Sequence, residues 1–143
     1  MKAISLWQPW ASFIAIGIKP FETRSWDAPR WLIGQRVAVH AAKKAVSADD
    51  REWARRHGID DLPLGAIVCT AQLAGSYLLS SQSPQGVRAV RFGHAAIVGS
   101  LFDEFDEFGD YADGRWAWLL TDVDRFKPPI EARGAQGFWN WTP

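Results

Sequence analysis

The stretch Gly17-Ile18-Lys19-Pro20-Phe21-Glu22-Thr23-Arg24-Ser25-Trp26 decides how this chain is read. Gly17 is a natural helix end, because glycine reaches the left-handed backbone that closes a helix without a Cβ penalty. Residues 20–26 then read as a strand. Side chains alternate faces along a strand, so Glu22, Arg24 and Trp26 share one side while Phe21 and Thr23 point to the other, toward the core. Lys19 stands at the helix-to-strand junction, where its long stem reaches the same side. An amine, a carboxylate, a guanidinium and an indole brought together can hold a phosphate or carbonyl, bond a base edge and stack a ring. The plainer reading of the same pattern is a Glu22–Arg24 ion pair on an exposed edge strand, and the pattern alone leaves both open.

Working outward, the preceding helix begins near Gln8-Pro9, since proline suits a first helical position where its missing N–H would go unbonded anyway. Trp10, Phe13 and Ile14 follow at helical spacing. Residues 35–41 read as a strand with Val37 and Val39 on one face. Ser47-Ala48-Asp49-Asp50 opens a second, mostly charged surface helix that Ser47 caps and Gly58 closes. Further strands are expected at 65–73, around 95–100 and at 115–122, with turn signals at Asp113-Gly114 and Pro128-Pro129. Two or three helices against five or six short strands make an α+β domain with a small, strongly curved sheet or barrel. The chain carries no internal repeat or linker, so residues 1–143 read as one domain.

Composition narrows the function classes. Cys69 is the only cysteine, which excludes an intramolecular disulfide and a Cys-based metal site, and its apolar neighbours mark it as a packed thiol. No His pair has metal-ligand spacing, so neither a metal nor another cofactor is expected. The N-terminal residues lack a secretory pattern and residues 13–16 are too few to span a bilayer, which makes the cytoplasm the expectation. Sixteen basic residues balance sixteen acidic ones, yet residues 1–60 hold ten Lys/Arg against six Asp/Glu and residues 61–143 hold six against ten. A protein that grips long nucleic acid is usually strongly basic. Here any such contact is local. The acidic run Asp103-Glu104-Phe105-Asp106-Glu107-Phe108 reads as a solvated loop that would repel a passing phosphate backbone. Phosphate-cradling, nucleophile-elbow and dinucleotide motifs are all missing.

Several other residues carry two readings. His40 falls on the strand face opposite Val37 and Val39, in a cleft or surface position, where it acts on a proton or phosphate or is merely structural. Lys43 and Lys44 add positive charge or form a solvated turn. The nine tryptophans serve cores and stacking sites equally well. Trp116 and Trp118 share a strand face and read as core, whereas Trp7, Trp10 and Trp26 lie nearest the motif. Trp26 is the expected stacking platform, because parity puts it beside Glu22 and Arg24. Arg133 and Gln136 close the cleft or a turn.

The pattern Gly17-x-Lys19-x-x-Glu22-x-Arg24 resembles the signature of the ASCH domain, a branch of the PUA-like superfamily. Flanking blocks agree in order: residues 5–12 resemble its first helix, 39–43 and 64–68 its second and third strands, and 114–118 and 134–139 its later strand and end. The resemblance implies one ASCH/PUA-like domain over 1–143, a PUA-like β-barrel of five or six strands flanked by two or three helices, with the motif at a groove. It implies binding of single-stranded RNA or a nucleotide at the motif residues Lys19, Glu22 and Arg24, to which the strand pattern and local charge add Trp26, His40 and Lys43 as candidate contacts.

The alternative class is a hydrolase, either a ribonuclease or an amidohydrolase acting on N4-acetylcytidine-type nucleosides. Lys19 matches the catalytic Lys of the amidohydrolases, but Glu22 stands where they have Thr. A hydrolase here would therefore use Lys19 to stabilise developing negative charge and Glu22 to activate water. A protein-interaction adaptor using exposed Trp is the third class.

Overall fold

The computed structural model describes residues 1–79, 89–90 and 108–143. The expected strand at 95–100 and residues 103–107 of the acidic run lie outside them. The chain divides into two units, one formed by Met1–Lys19, Arg36–Gln72 and Asp122–Pro143 and the other by Pro20–Gln35 and Leu73–Thr121.

The first unit opens with β1 (Lys2–Leu6), a strand that local patterning did not reveal. It pairs in parallel with β3 (Arg36–Ala41), placing Ser5 opposite His40, and antiparallel with β7 (Phe138–Asn140). Antiparallel β4 (Ala66–Leu79) flanks β3 on its other side. With strands on both edges and cover on both faces, residues 37–41 of β3 are all buried. A strand so covered has no solvent face for alternation to report. Helix α1 (Trp10–Ala15) follows Pro9 as expected, and Gly17 ends it with φ +83°. Phe13 of α1 meets the Trp53 ring edge-on at 5.0 Å. Trp53 belongs to α2 (Ala48–Arg56), whose Ser47 cap accepts from the Asp50 N–H at 3.1 Å. Asp49 and Asp50 in its first turn and Arg55 and Arg56 in its last complement the helix dipole. Ala3, Ala38, Ile67 and Trp141 form an apolar cluster, with Phe126, Ala132 and Trp139 packed against it. Cys69 is fully buried, and burial pushes its thiol up to about 12, so it stays protonated and unreactive.

In the second unit β2 (Phe21–Arg24) pairs antiparallel with the start of β6 (Trp116–Glu131), Glu22 facing Trp118 and Arg24 facing Trp116. The end of β4 carries β5 (Ala89–Val90). Leu79 is tied to the start of β6 through its N–H to the Arg115 carbonyl, 2.8 Å, and its carbonyl to the Gly114 N–H, 2.9 Å. Phe21, Tyr77, Leu79, Tyr111 and Ala117 make its core. A single 3-10 turn spans Arg30–Leu32.

Strands β4 and β6 run through both units and are longer than local signals indicated. Pro128-Pro129 falls inside β6 instead of marking a turn, on a stretch whose side chains are largely exposed. The irregularity in β6 is Asp122, whose φ of +49° lies in the left-handed region that Asp tolerates better than most residues. Arg36 fixes it by bonding both its carbonyl and its carboxylate. Among the described residues the α+β class stands, with a mixed sheet and two α-helices. Among the described residues the strand order is open, with β2 and β7 as its ends. The pairing therefore does not establish the closed barrel.

Candidate functional site

Strand β2 sorts its side chains as alternation requires. Phe21 enters the core of its unit, and Thr23 faces the 110–115 turn, where its hydroxyl accepts from the Asp110 N–H and its carbonyl accepts from Arg115, both at 3.1 Å. Glu22 and Arg24 take the opposite face. The Arg24 Nε donates to Glu22 Oε1 at 2.9 Å, the carboxylate side chain being 11% and the guanidinium side chain 27% exposed. The pair sits on an aromatic floor. Trp118 lies opposite Glu22 in the register, and the Arg24 guanidinium carbon is 5.9 Å from its ring centroid. Trp26, two residues past the end of β2, sets its ring edge-on to Trp118 at 4.8 Å and 79°. Trp118 is buried while Trp26 is partly open to solvent. A carboxylate, a guanidinium and an exposed indole thus share one surface of the second unit, held by a buried indole that sequence reading took for core alone. The signal for that second role was the antiparallel register, which needs both strands to be known.

Lys19 belongs to the first unit and is 2% exposed. Its backbone N–H, with that of Ile18, donates to the Phe13 carbonyl and completes the end of α1. The sequence placed this amine at a junction, which is correct, but gave no sign of its burial.

His40 is buried, not at the surface, because β3 is covered on both faces. Its Nε2 lies 3.0 Å from the Ala132 carbonyl, which only accepts, so Nε2 carries the proton. Nδ1 then accepts from the Ser5 hydroxyl at 3.0 Å, and the Ser5 oxygen accepts from Trp139 Nε1 at 3.1 Å. Burial lowers the His40 pKa below 6.5, partly offset by the Ala132 carbonyl, so the imidazole is neutral. Gly134 lies flat against this group, and a Cβ there would meet the His40 ring and Ser5 Oγ.

Lys43 is exposed, its methylenes lying across Gly65, while the Lys44 ammonium sits 2.9 Å above the centroid of the exposed Trp7 ring. Arg133 and Gln136 lie in the segment between β6 and β7 and no contact of theirs defines a site. Among the described residues no group of three or more His, Cys, Asp or Glu is placed to hold a metal ion. Nor is any described helix long and apolar enough to cross a membrane.

The motif geometry now has a family behind it. The sequence model of the ASCH domain matches residues 4–129. This chain belongs to the ASCH domain family. Among solved structures it is similar to a single-residue variant of the ASCH protein from Zymomonas mobilis, with TM-score 0.50 and 20% identity over 91% of this chain and 74% of that one. It is also similar to the unmodified Zymomonas mobilis ASCH protein, with TM-score 0.49 and 19% identity over 91% and 72%. At such identity the first of these likenesses speaks for the fold alone. Comparison with curated protein sequences gives no match.

Proposed function

We propose that this ASCH protein is a binding module for single-stranded RNA or a nucleotide, and that the Glu22–Arg24 pair over Trp118, with Trp26 beside it, is its contact surface. The observation that carries this reading is the pair itself: a donor fork and an acceptor fixed 2.9 Å apart beside an indole that is partly open. Guanidinium and carboxylate together match the donor and acceptor pattern of a base edge, the guanidinium by itself can bond a phosphate, and the indole offers a stacking face. Lys19 belongs to the same proposal as a further cation, as does closure of the sheet into the PUA-like barrel that the family implies. His40 enters it through its own network, holding β1, β3 and the Ala132 carbonyl.

The hydrolase reading ranks second for a geometric reason. Glu22 Oε1 already accepts from Arg24, which leaves the rest of the carboxylate to bind and activate a water, and among the described residues no second acid or base is shown beside it. The test is fluorescence anisotropy of labelled single-stranded RNA with wild type and Arg24→Ala. Binding that weakens by tenfold or so in the variant, with the circular dichroism spectrum unchanged, supports the module. Equal affinity in both sinks it. Turnover of RNA or of N4-acetylcytidine that disappears in Glu22→Gln while binding persists would favour the enzyme instead.

A further inference from the structure

The first unit presents a second aromatic–cation group. Trp7 is 57% exposed, although its sequence neighbours Leu6 and Gln8 are buried. Its backbone is fixed: β1 ends at Leu6, the Leu6 carbonyl accepts from the Ala42 N–H at 2.8 Å, and the Trp7 carbonyl accepts from Ala11 at the start of α1. The bond to Ala42 also fixes the turn that follows β3, which brings Lys44 beside the ring and carries Lys43 in the same turn. The Lys44 ammonium occupies one face of the indole. More than half of the residue stays exposed to solvent with the ammonium in place. The Lys43 stem rests on Gly65, in space a Cβ would fill. Both cations are therefore partly ordered before any partner arrives, which reduces the entropy lost on binding.

We infer that Trp7, Lys43 and Lys44 form a stacking platform for one nucleotide of a single-stranded RNA, the base lying on the indole and the lysines meeting the adjoining phosphates. The chemistry selects this partner. A flat ring with one cation upon it and a second in the same turn is complemented by a molecule that alternates flat rings and anions at short spacing, as a single-stranded nucleic acid does. An acidic peptide supplies the anions without the rings. A lipid surface requires a broad apolar face, and here the exposed ring carries an ammonium on one face. The inference rests on the RNA-binding reading above but concerns a different surface.

The experiment measures anisotropy of a labelled single-stranded RNA of about ten nucleotides across a salt series, with wild type, Trp7→Ala, Trp7→Phe, the double variant Lys43→Ala/Lys44→Ala, and Arg24→Ala. Loss of one stacked base weakens binding by at least about fivefold in Trp7→Ala, and Trp7→Phe recovers part of it. The double lysine variant lowers the log–log salt slope by about 0.7 for each phosphate contact removed. Wild-type affinity and slope in the Trp7 and lysine variants, with loss in Arg24→Ala, overturn this inference and leave the earlier reading intact. Loss in Trp7→Ala with none in Arg24→Ala supports it and overturns the other surface. No RNA binding by wild type removes both, and binding of phosphatidylserine vesicles that depends on Trp7 would replace RNA with a membrane.

Discussion

The Ser5 hydroxyl donates to Nδ1 of His40 at 3.0 Å, across a parallel strand pair that sequence inspection did not reveal. The arrangement has a consequence for stability against pH. The groups bonded to the imidazole are a hydroxyl and a carbonyl, and the indole of Trp139 meets its ring edge-on, so no charge among them favours protonation. A second proton on Nδ1 would turn it into a donor facing an oxygen that already receives the Trp139 N–H.

The sign follows from linkage. The folded pKa of His40 lies below 6.5, so the unfolded chain binds the extra proton first. Stability from this group is complete above pH 6.5 and falls as pH drops through 6.5 toward the folded value, with a slope of at most about 1.4 kcal/mol per pH unit. Urea unfolding at a series of pH values from neutral to mildly acid reads this directly. The variant His40→Gln should flatten the profile over that window, whatever it does to stability at neutral pH. An unchanged profile in the variant would assign the pH dependence elsewhere.

Gly134 has no room for a side chain. A Cβ at this position would sit 2.6 Å from His40 Nδ1 and 2.7 Å from Ser5 Oγ. Gly134→Ala should therefore cost about 1–3 kcal/mol as the ring or the 132–137 segment shifts, seen as a lower urea midpoint at unchanged m-value. Gly114→Ala is a useful contrast. Its Cβ would meet nothing within 4 Å, and any cost there reports backbone conformation alone, since its φ is +83°.

What could be read beforehand and what could not divides along local and long-range causes. Local chemistry was legible: the Gly17 helix end, the Ser47 cap and the alternation of Phe21, Glu22, Thr23 and Arg24 all depend on residues within a few positions. Strand β1 was not legible, because residues 2–6 are held by partners at 37–41 and 138–140 that no short pattern predicts. His40 was put on the correct side of β3 and still misjudged, since alternation assigns a face but cannot say that both faces are covered. Pro128-Pro129 signalled a turn by composition, yet β6 continues through it. The partnership of Trp118 with Arg24 and Trp26 required the register of β2 against β6.

That partnership separates stability from binding. Trp118 is 1% exposed and Trp26 is 37% exposed. Replacing Trp118 by Ala empties a large core site and should destabilise the protein by about 3–5 kcal/mol. Replacing Trp26 by Ala should lower the unfolding midpoint much less, through loss of its edge-on contact with Trp118, while weakening RNA binding by about 1–3 kcal/mol, the worth of one stacked base. Thermal unfolding and RNA titration on the same two samples decide the matter. A Trp26→Ala protein that binds as wild type would remove this indole from the contact surface.

Glu22 offers the sharpest test of how the surface reads its ligand. Its carboxylate holds Arg24 Nε, and two roles follow that predict opposite results for Glu22→Gln. If Glu22 only restrains Arg24, neutralising it unmasks the guanidinium, and RNA binds more tightly with a steeper salt slope. If Glu22 itself accepts from an exocyclic amine, the amide is a poorer acceptor, and binding weakens for bases that carry the amine. The second outcome is expected, because the guanidinium and the carboxylate lie side by side on one strand face, donor next to acceptor, as a base edge requires. A hydrogen bond to a charged group is worth about 1.5–3 kcal/mol, so oligocytidine and oligoadenosine should lose at least about tenfold in affinity while oligouridine changes little. Equal changes across all three would leave Glu22 with the restraining role alone.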